Sequence, residues 1–410
     1  MRWIGLVLLL ASVGLPTAHG QPAPSSEPQW NVRVYPLDLW GPRVGWGFGA
    51  GVVAHDVMRP GSQMLVTAAP AAHETVGTLS LASADPHEAD TYVVLDARAA
   101  TTTRQWFYGL GPGSRKDAKV ALDMNAWWTR LRVGQRLGAS PATVQPHLTL
   151  MQHDVNGLSE ETPDALSRLS AASRRAIPGQ APTAPSPSAL RPADARQVGI
   201  RAGVDVIVDT RERAYGARRG VLLQGTASTY EALDQDLRFH RLDLRAFGFL
   251  PLGGRHRLAL GLRTALTDRR SNRRLPFYLL PKLDGHTAPG WARDRFYGSD
   301  LASVRLVYRF PIAQFRDLVT LEGHVGAHAA TVYDDLGDDW SLDLSFEERI
   351  GAGDAPFRPS ASAGLRIGPL FRDETYVDVA VGVSPEDVTG VRFTFVQSLR
   401  GLRPGHHGPE

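Results

Sequence analysis

The feature that most constrains this chain is an alternation of apolar and polar residues with a period of two, repeated along most of its length. Leu242, Leu244 and Ala246 alternate with Arg241, Asp243 and Arg245. Leu258, Leu260 and Leu262 alternate with Arg257, Ala259, Gly261 and Arg263. Val304, Leu306, Tyr308 and Phe310 alternate with Ser303, Arg305, Val307 and Arg309, and Val319, Leu321 and Val325 with Thr320, Glu322 and His324. Val377, Val379 and Val381 flank Asp378, and Val391, Phe393 and Phe395 flank Arg392 and Thr394. No helix keeps such a pattern on one face, whereas a pleated strand must. The polar face is unusual because it is so rich in arginine. In a soluble sandwich that face meets water. In a transmembrane barrel the apolar face meets lipid and the arginines line a wet lumen. The alternation alone allows both.

Three features favour the barrel. First, residues 1–20 read as a secretory signal: Arg2, an apolar run from Trp3 to Leu15 too short for a stable membrane helix, Pro16, and small residues at Ala18 and Gly20. Second, aromatic residues cluster near strand ends at Trp106-Phe107-Tyr108 and Trp127-Trp128, where interfacial girdles sit. Third, long and short connections alternate. Candidate strands are 43–55, 62–69, 75–83, 91–103, 118–136, 143–154, 198–208, 221–229, 238–249, 256–266, 299–310, 318–328, 359–368, 375–383 and 390–398. That is fifteen, and single-chain bacterial barrels are even-numbered, so a sixteenth is expected within 118–136. The fold class expected is all-β, a transmembrane antiparallel β-barrel of sixteen strands.

Parity places the long connections 159–197, 267–298 and 329–358 on one side, the extracellular one, since periplasmic turns are short. The alternating segment 341–347 falls inside the last of these and reads as loop structure. The expected organisation is a signal peptide at 1–20, a disordered leader and periplasmic start at 21–42, the barrel at 43–398 and a disordered tail at 399–410. Residues 159–197 are rich in Ser, Ala and Pro and read as a disordered loop.

Composition excludes other classes. With no Cys there is no disulfide scaffold, Cys-ligated metal or Cys nucleophile. A net charge of +3 is too balanced for a nucleic-acid partner. No G-x-S-x-G elbow, H-E-x-x-H or P-loop is present. The acidic residues Asp334, Asp335, Asp338 and Asp339 and the histidines His153, His324 and His328 read as solvated loop and lumen lining. No catalytic residue, cofactor or metal is assigned.

Several strings, in order, resemble the BamA/TamA outer-membrane barrel family, also called the bacterial surface antigen family. Phe107-Tyr108-Gly109-Leu110-Gly111 with Ser114 looks like its aromatic-Gly turn, and Asp209-Thr210-Arg211 with Arg219-Gly220 like its DTRD…RG turn. Leu280-Pro281-Lys282-Leu283-Asp284-Gly285 is similar to LP-x-LGG, Ala288-Pro289-Gly290-Trp291 to (V/L)RG(F/Y), Arg295-Phe296-Tyr297-Gly298 to RF(R)G, and Val307-Tyr308-Arg309-Phe310-Pro311-Ile312 to EYRFPI. Pro289, Val307 and Asp284 depart from the pattern. The interval before the first strand is too short for a POTRA domain, so the resemblance is to a branch lacking them.

The resemblance implies an outer loop that folds into the lumen, with Gly290, Trp291, Arg293, Arg295, Phe296 and Gly298 as its motif and Glu322 and Asp378 as lumenal partners for an arginine. It also implies a non-enzymatic role in protein or lipid insertion, translocation or passive permeation in the outer membrane. Partners would be outer-membrane lipids, lipopolysaccharide, the machinery that inserts the barrel and an unidentified periplasmic protein. The alternatives are an outer-membrane hydrolase, with His324 or His153 in its site, and a secreted β-rich binding protein.

Overall fold

The computed structural model describes residues 31–41, 45–86, 89–114, 116, 119–158, 196–212, 217–271, 275–283, 287–292, 294–315, 319–336, 357–370, 375–385 and 388–396. The readings of 1–20, of the 341–347 segment and of the 399–410 tail lie outside these residues, as does Arg293.

Among the described residues, sixteen strands form one sheet in strict sequence order, every pair antiparallel. They are β1 (Asn31–Gly41), β2 (Gly45–His55), β3 (Gln63–Pro70), β4 (Glu74–Ala82), β5 (Thr91–Phe107), β6 (Val120–Arg136), β7 (Ala142–Leu158), β8 (Arg196–Asp209), β9 (Gly220–Ala232), β10 (Arg238–Gly253), β11 (His256–Arg269), β12 (Asp300–Phe315), β13 (Val319–Tyr333), β14 (Arg358–Leu370), β15 (Thr375–Val383) and β16 (Val388–Val396). The sheet rolls until β1 and β16 approach each other.

Two sequence expectations need correction. The 118–136 stretch is one long strand, β6, paired along its length with β5 and β7. The strand that the alternation missed is β1, which lies inside the 21–42 segment read as leader and periplasmic start. Pro36 breaks the apparent pattern there. A proline is tolerated because β1 ends the sheet, with a ladder only to β2. Register shifts at Pro251/Gly253 and Pro311/Ala313 likewise sit at prolines, which remove a rung from the ladder.

The alternation sorts side chains opposite to a soluble protein. Leu260 is 45% exposed and Leu262 46%, whereas Arg257 between the same neighbours is 2% exposed. The outward set recurs in strand after strand: Val34, Phe48, Leu131, Leu148, Val206, Leu223, Leu244, Leu306, Val325 and Leu365. The aromatic strings divide. Trp106 pairs with Ala121 and Trp127 with Gln152 on the outward face. Phe107 points inward into an apolar cluster, with Trp128 packed against it, and Tyr108 is buried. No described helix is long and apolar enough to cross a membrane, which says nothing of strands.

The interior carries ion pairs. Arg257 grips Glu322 through two bonds of 2.6 and 3.2 Å. Arg366 and His324 hold Asp378 at 2.9 and 3.3 Å. Arg245 and Arg263 share Asp243 at 2.8 and 3.3 Å, and Arg132 holds Asp96 at 2.6 Å. Connections 108–119, 159–195, 270–299 and 334–357 all leave one end of the sheet, and the opposite end carries only shorter ones, including 254–255 and 316–318.

Candidate functional site

The 270–299 loop does not stand away from the barrel. A short 3-10 turn at Phe277–Leu279 starts its inward course. Leu283 N–H then donates to Phe296 O at 3.0 Å and Gly298 N–H to Pro281 O at 3.1 Å, so two of the motif strings lie side by side as a small hairpin. Lys282 Nζ sits 3.1 Å from Asp294 Oδ1, and the Asp294 side chain is fully buried. Asp294 itself has φ 60, a left-handed conformation that Asp tolerates better than most residues.

Leu275, Leu279, Leu280 and Tyr297 of the loop pack with Phe107, Leu122, Met151, Tyr230 and Phe239 of β5 to β10. On the other side Leu283, Trp291 and Phe296 pack with Ala265, Leu301, Ala330 and Val332 of β11 to β13. The lumen near the long-loop end is therefore filled by an apolar plug anchored to both walls.

Arg295 is fully buried at 0% exposure. Its Nε and Nη2 donate to Ser114 O at 3.1 and 2.9 Å, and Ser114 Oγ donates back to Arg295 O at 2.9 Å. Gly111 N–H donates to Tyr297 O at 2.7 Å. The aromatic-Gly turn and the RF string, about 180 residues apart in sequence, thus form one docked unit. The Arg295 guanidinium lies over the rings of Trp291 and Phe296 at 5.8 and 4.8 Å. Arg358 of β14 faces the same two rings at 5.1 and 4.5 Å, while its Nη2 donates to Pro112 O at 2.5 Å. Burial in this packing pushes the Tyr108 phenol up from its ordinary value, against the opposing pull of Arg295.

The tip of the loop touches the end of β15. Gly290 has φ 95, and a Cβ there would run into the backbone of Val383 and Ser384. Glycine is required on both grounds. Ser384 Oγ donates to Gly290 O at 2.9 Å, and Trp291 Nε1 donates to Pro359 O at 3.2 Å. A Cβ on Gly298 would meet Tyr333 O at 2.6 Å, so the return of the chain toward β12 is equally close-packed.

Gly290, Trp291, Arg295, Phe296 and Gly298 therefore come together inside the sheet. Glu322 and Asp378 do not join them. They are held by Arg257, Arg366 and His324 of the barrel wall, from strands one or two places away. The arginine of the loop binds main-chain carbonyls and rings instead. Sequence reasoning missed Arg358, which carries no signal beyond its place at the start of a strand. Ser114 and Gly111 were legible within the aromatic-Gly string, though their contact with Arg295 was not.

The histidines named for hydrolysis are engaged elsewhere: His324 with Asp378, and His153 stacked on Tyr278 at 4.8 Å. At the opposite end of the sheet the Asp209-Thr210-Arg211 turn closes on itself. Arg211 forks onto Asp209 with two bonds of 2.8 Å, and Val221 N–H donates to Thr210 Oγ1 at 2.9 Å.

No family model matches the chain, and no curated protein matches it in sequence. Solved structures do match in fold. The crystal structure of BamA from Haemophilus ducreyi lacking POTRA domains 1–3 superimposes with a TM-score of 0.56 at 13% identity, over 90% of this chain and 69% of that one. CdiB from Acinetobacter baumannii gives 0.48 at 10% identity, over 89% of this chain and 59% of that one. The fold is that of the BamA barrel.

Proposed function

We propose that this chain is an integral outer-membrane β-barrel, non-enzymatic, that serves protein or lipid insertion, translocation or gated permeation, with the 270–299 loop as its plug. The observation that carries the reading is the inverted surface: leucines and valines point outward on strand after strand while arginines and carboxylates pair inside. Water disfavours such a surface and a hydrocarbon layer favours it. Every strand between the two end strands is hydrogen-bonded on both sides, the backbone satisfaction that a bilayer favours. The long-loop end faces outward and the short turns face the periplasm. Lipid and lipopolysaccharide cover the apolar belt, and cellular assembly machinery inserts it.

A hydrolase reading draws no support from His324 or His153, whose rings are committed to other partners. The test of membrane residence is fractionation. The protein should sediment with outer membranes, need detergent for release, and migrate faster unboiled than boiled on a gel. Release in a soluble periplasmic extract, without detergent, would overturn the proposal.

A further inference from the structure

The lumenal wall from β5 to the start of β12 carries a group of arginines that outnumbers the carboxylates facing it. Arg130, Arg132, Arg201, Arg241, Arg245 and Arg263 face four aspartates there: Asp96, Asp205, Asp243 and Asp300. Each aspartate is already engaged. Asp96 takes Arg132 and Ser80, and Asp205 takes Thr226 and His147. Asp243 takes Arg245 and Arg263, and Asp300 accepts the N–H groups of Thr267 and Leu336. Arg130, Arg201 and Arg241 are left, among the described residues, with no carboxylate at ion-pair distance.

The register aligns these groups. Arg130 lies opposite Thr149, Thr149 opposite Arg201, Arg201 opposite Tyr230, and Tyr230 opposite Phe239. Arg201 is 5% exposed, and its Nε and Nη2 have no hydrogen-bond partner. The Tyr230 hydroxyl and Arg241 Nη1 are also buried and without one. The Phe239 ring holds both guanidiniums, 6.0 Å from Arg201 Cζ and 5.0 Å from Arg241 Cζ. Arg241 is fixed further by Thr267 Oγ1 at 3.2 Å and by the carbonyl of Leu279 in the plug. Water could take up a spare donor, but it cannot offset two uncompensated charges in a packed wall.

We propose that Arg201, Arg241 and Tyr230, with Arg130 beside them, form a lumenal binding site for a phosphate-type oxyanion. The excess of two positive charges matches a phosphoryl dianion, and forked guanidinium donors with a hydroxyl match its tetrahedral oxygens. The ligand is either free phosphate or the phosphate of a lipid headgroup.

The experiment is calorimetric titration of the purified protein with inorganic phosphate at constant ionic strength, in zwitterionic detergent and then in phosphatidylcholine nanodiscs with and without lipid A. Folding of every variant is checked by heat-modifiable migration. Saturable one-to-one uptake is expected, weakened about tenfold to a hundredfold in Arg201→Gln. It should be unchanged in Arg98→Gln, whose guanidinium lies beside Glu74 of β4 instead. Arg201→Lys, which keeps the charge without the fork, should fall between them. Phosphate uptake blocked by lipid A identifies a lipid-borne group, and uptake indifferent to lipid A identifies the free ion. Absence of saturable uptake by the unsubstituted protein, or equal uptake by Arg201→Gln, would sink the proposal.

Discussion

At the residue scale the interior is governed by pairing. The Arg257 and Glu322 side chains are 3% and 9% exposed and 2.6 Å apart, so each charge has the other as its close partner in the wall. Replacing Arg257 by Met strands Glu322 without its ion-pair partner. A cost of about 3–5 kcal/mol follows for a buried pair broken on one side. Replacing both by Met should recover most of that loss, since the pair in place gains little over apolar packing. Urea unfolding in vesicles measures all three proteins; equal stability of the single and double variants would show that the pair is solvated. Sequence alternation placed Arg257 and Glu322 on an inward face, but only register decided that they meet. Glu322 lies on β13 and Arg257 on β11, with β12 between them.

At the element scale each strand has one face for lipid and one for the lumen. Leu244 is 45% exposed on β10, while its neighbours Asp243 and Arg245 point inward and pair. Leu244→Arg should cost about 2–4 kcal/mol in a bilayer if its position is near the midplane, falling toward the interfaces. Arg245→Leu should cost less, because Asp243 keeps Arg263 at 3.3 Å. Unfolding titrations in phospholipid vesicles compare them, and an equal response of the two faces would contradict the lipid-facing assignment. The alternation that marks these strands was legible because a barrel strand is amphipathic in isolation. β1 was not legible, because Pro36 hides the period until β2 supplies the ladder.

At the scale of the whole molecule, the plug joins distant parts of the chain. It links the 108–119 turn through Arg295 and Ser114, β14 through Arg358, and the β15 end through Gly290 and Ser384. A loop docked in this way, with the apolar clusters around it, would bar free diffusion if it is the proposed plug. Planar-bilayer recordings should therefore show low conductance for the intact protein and higher conductance once 275–297 is replaced by a short Gly/Ser linker. Equal conductance of the two proteins would mean that the plug is not the barrier.

The sequence by itself determined the class of fold and the two faces of each strand. Period-two alternation is a local property, and arginine on one face with leucine on the other leaves few environments that satisfy both. It also carried the strings from Phe107 to Pro311 that resemble a known barrel family. Tertiary structure alone decided which of those strings touch. Arg295 looked free to seek an acid such as Glu322 or Asp378. Once the strands are in register, those acids already lie against Arg257, Arg366 and His324, and the loop's guanidinium finds the Ser114 carbonyl and two aromatic rings instead. The physical reason is one of range. Alternation is written between adjacent residues, whereas a charge pair between strands depends on the register that sets distant residues against each other.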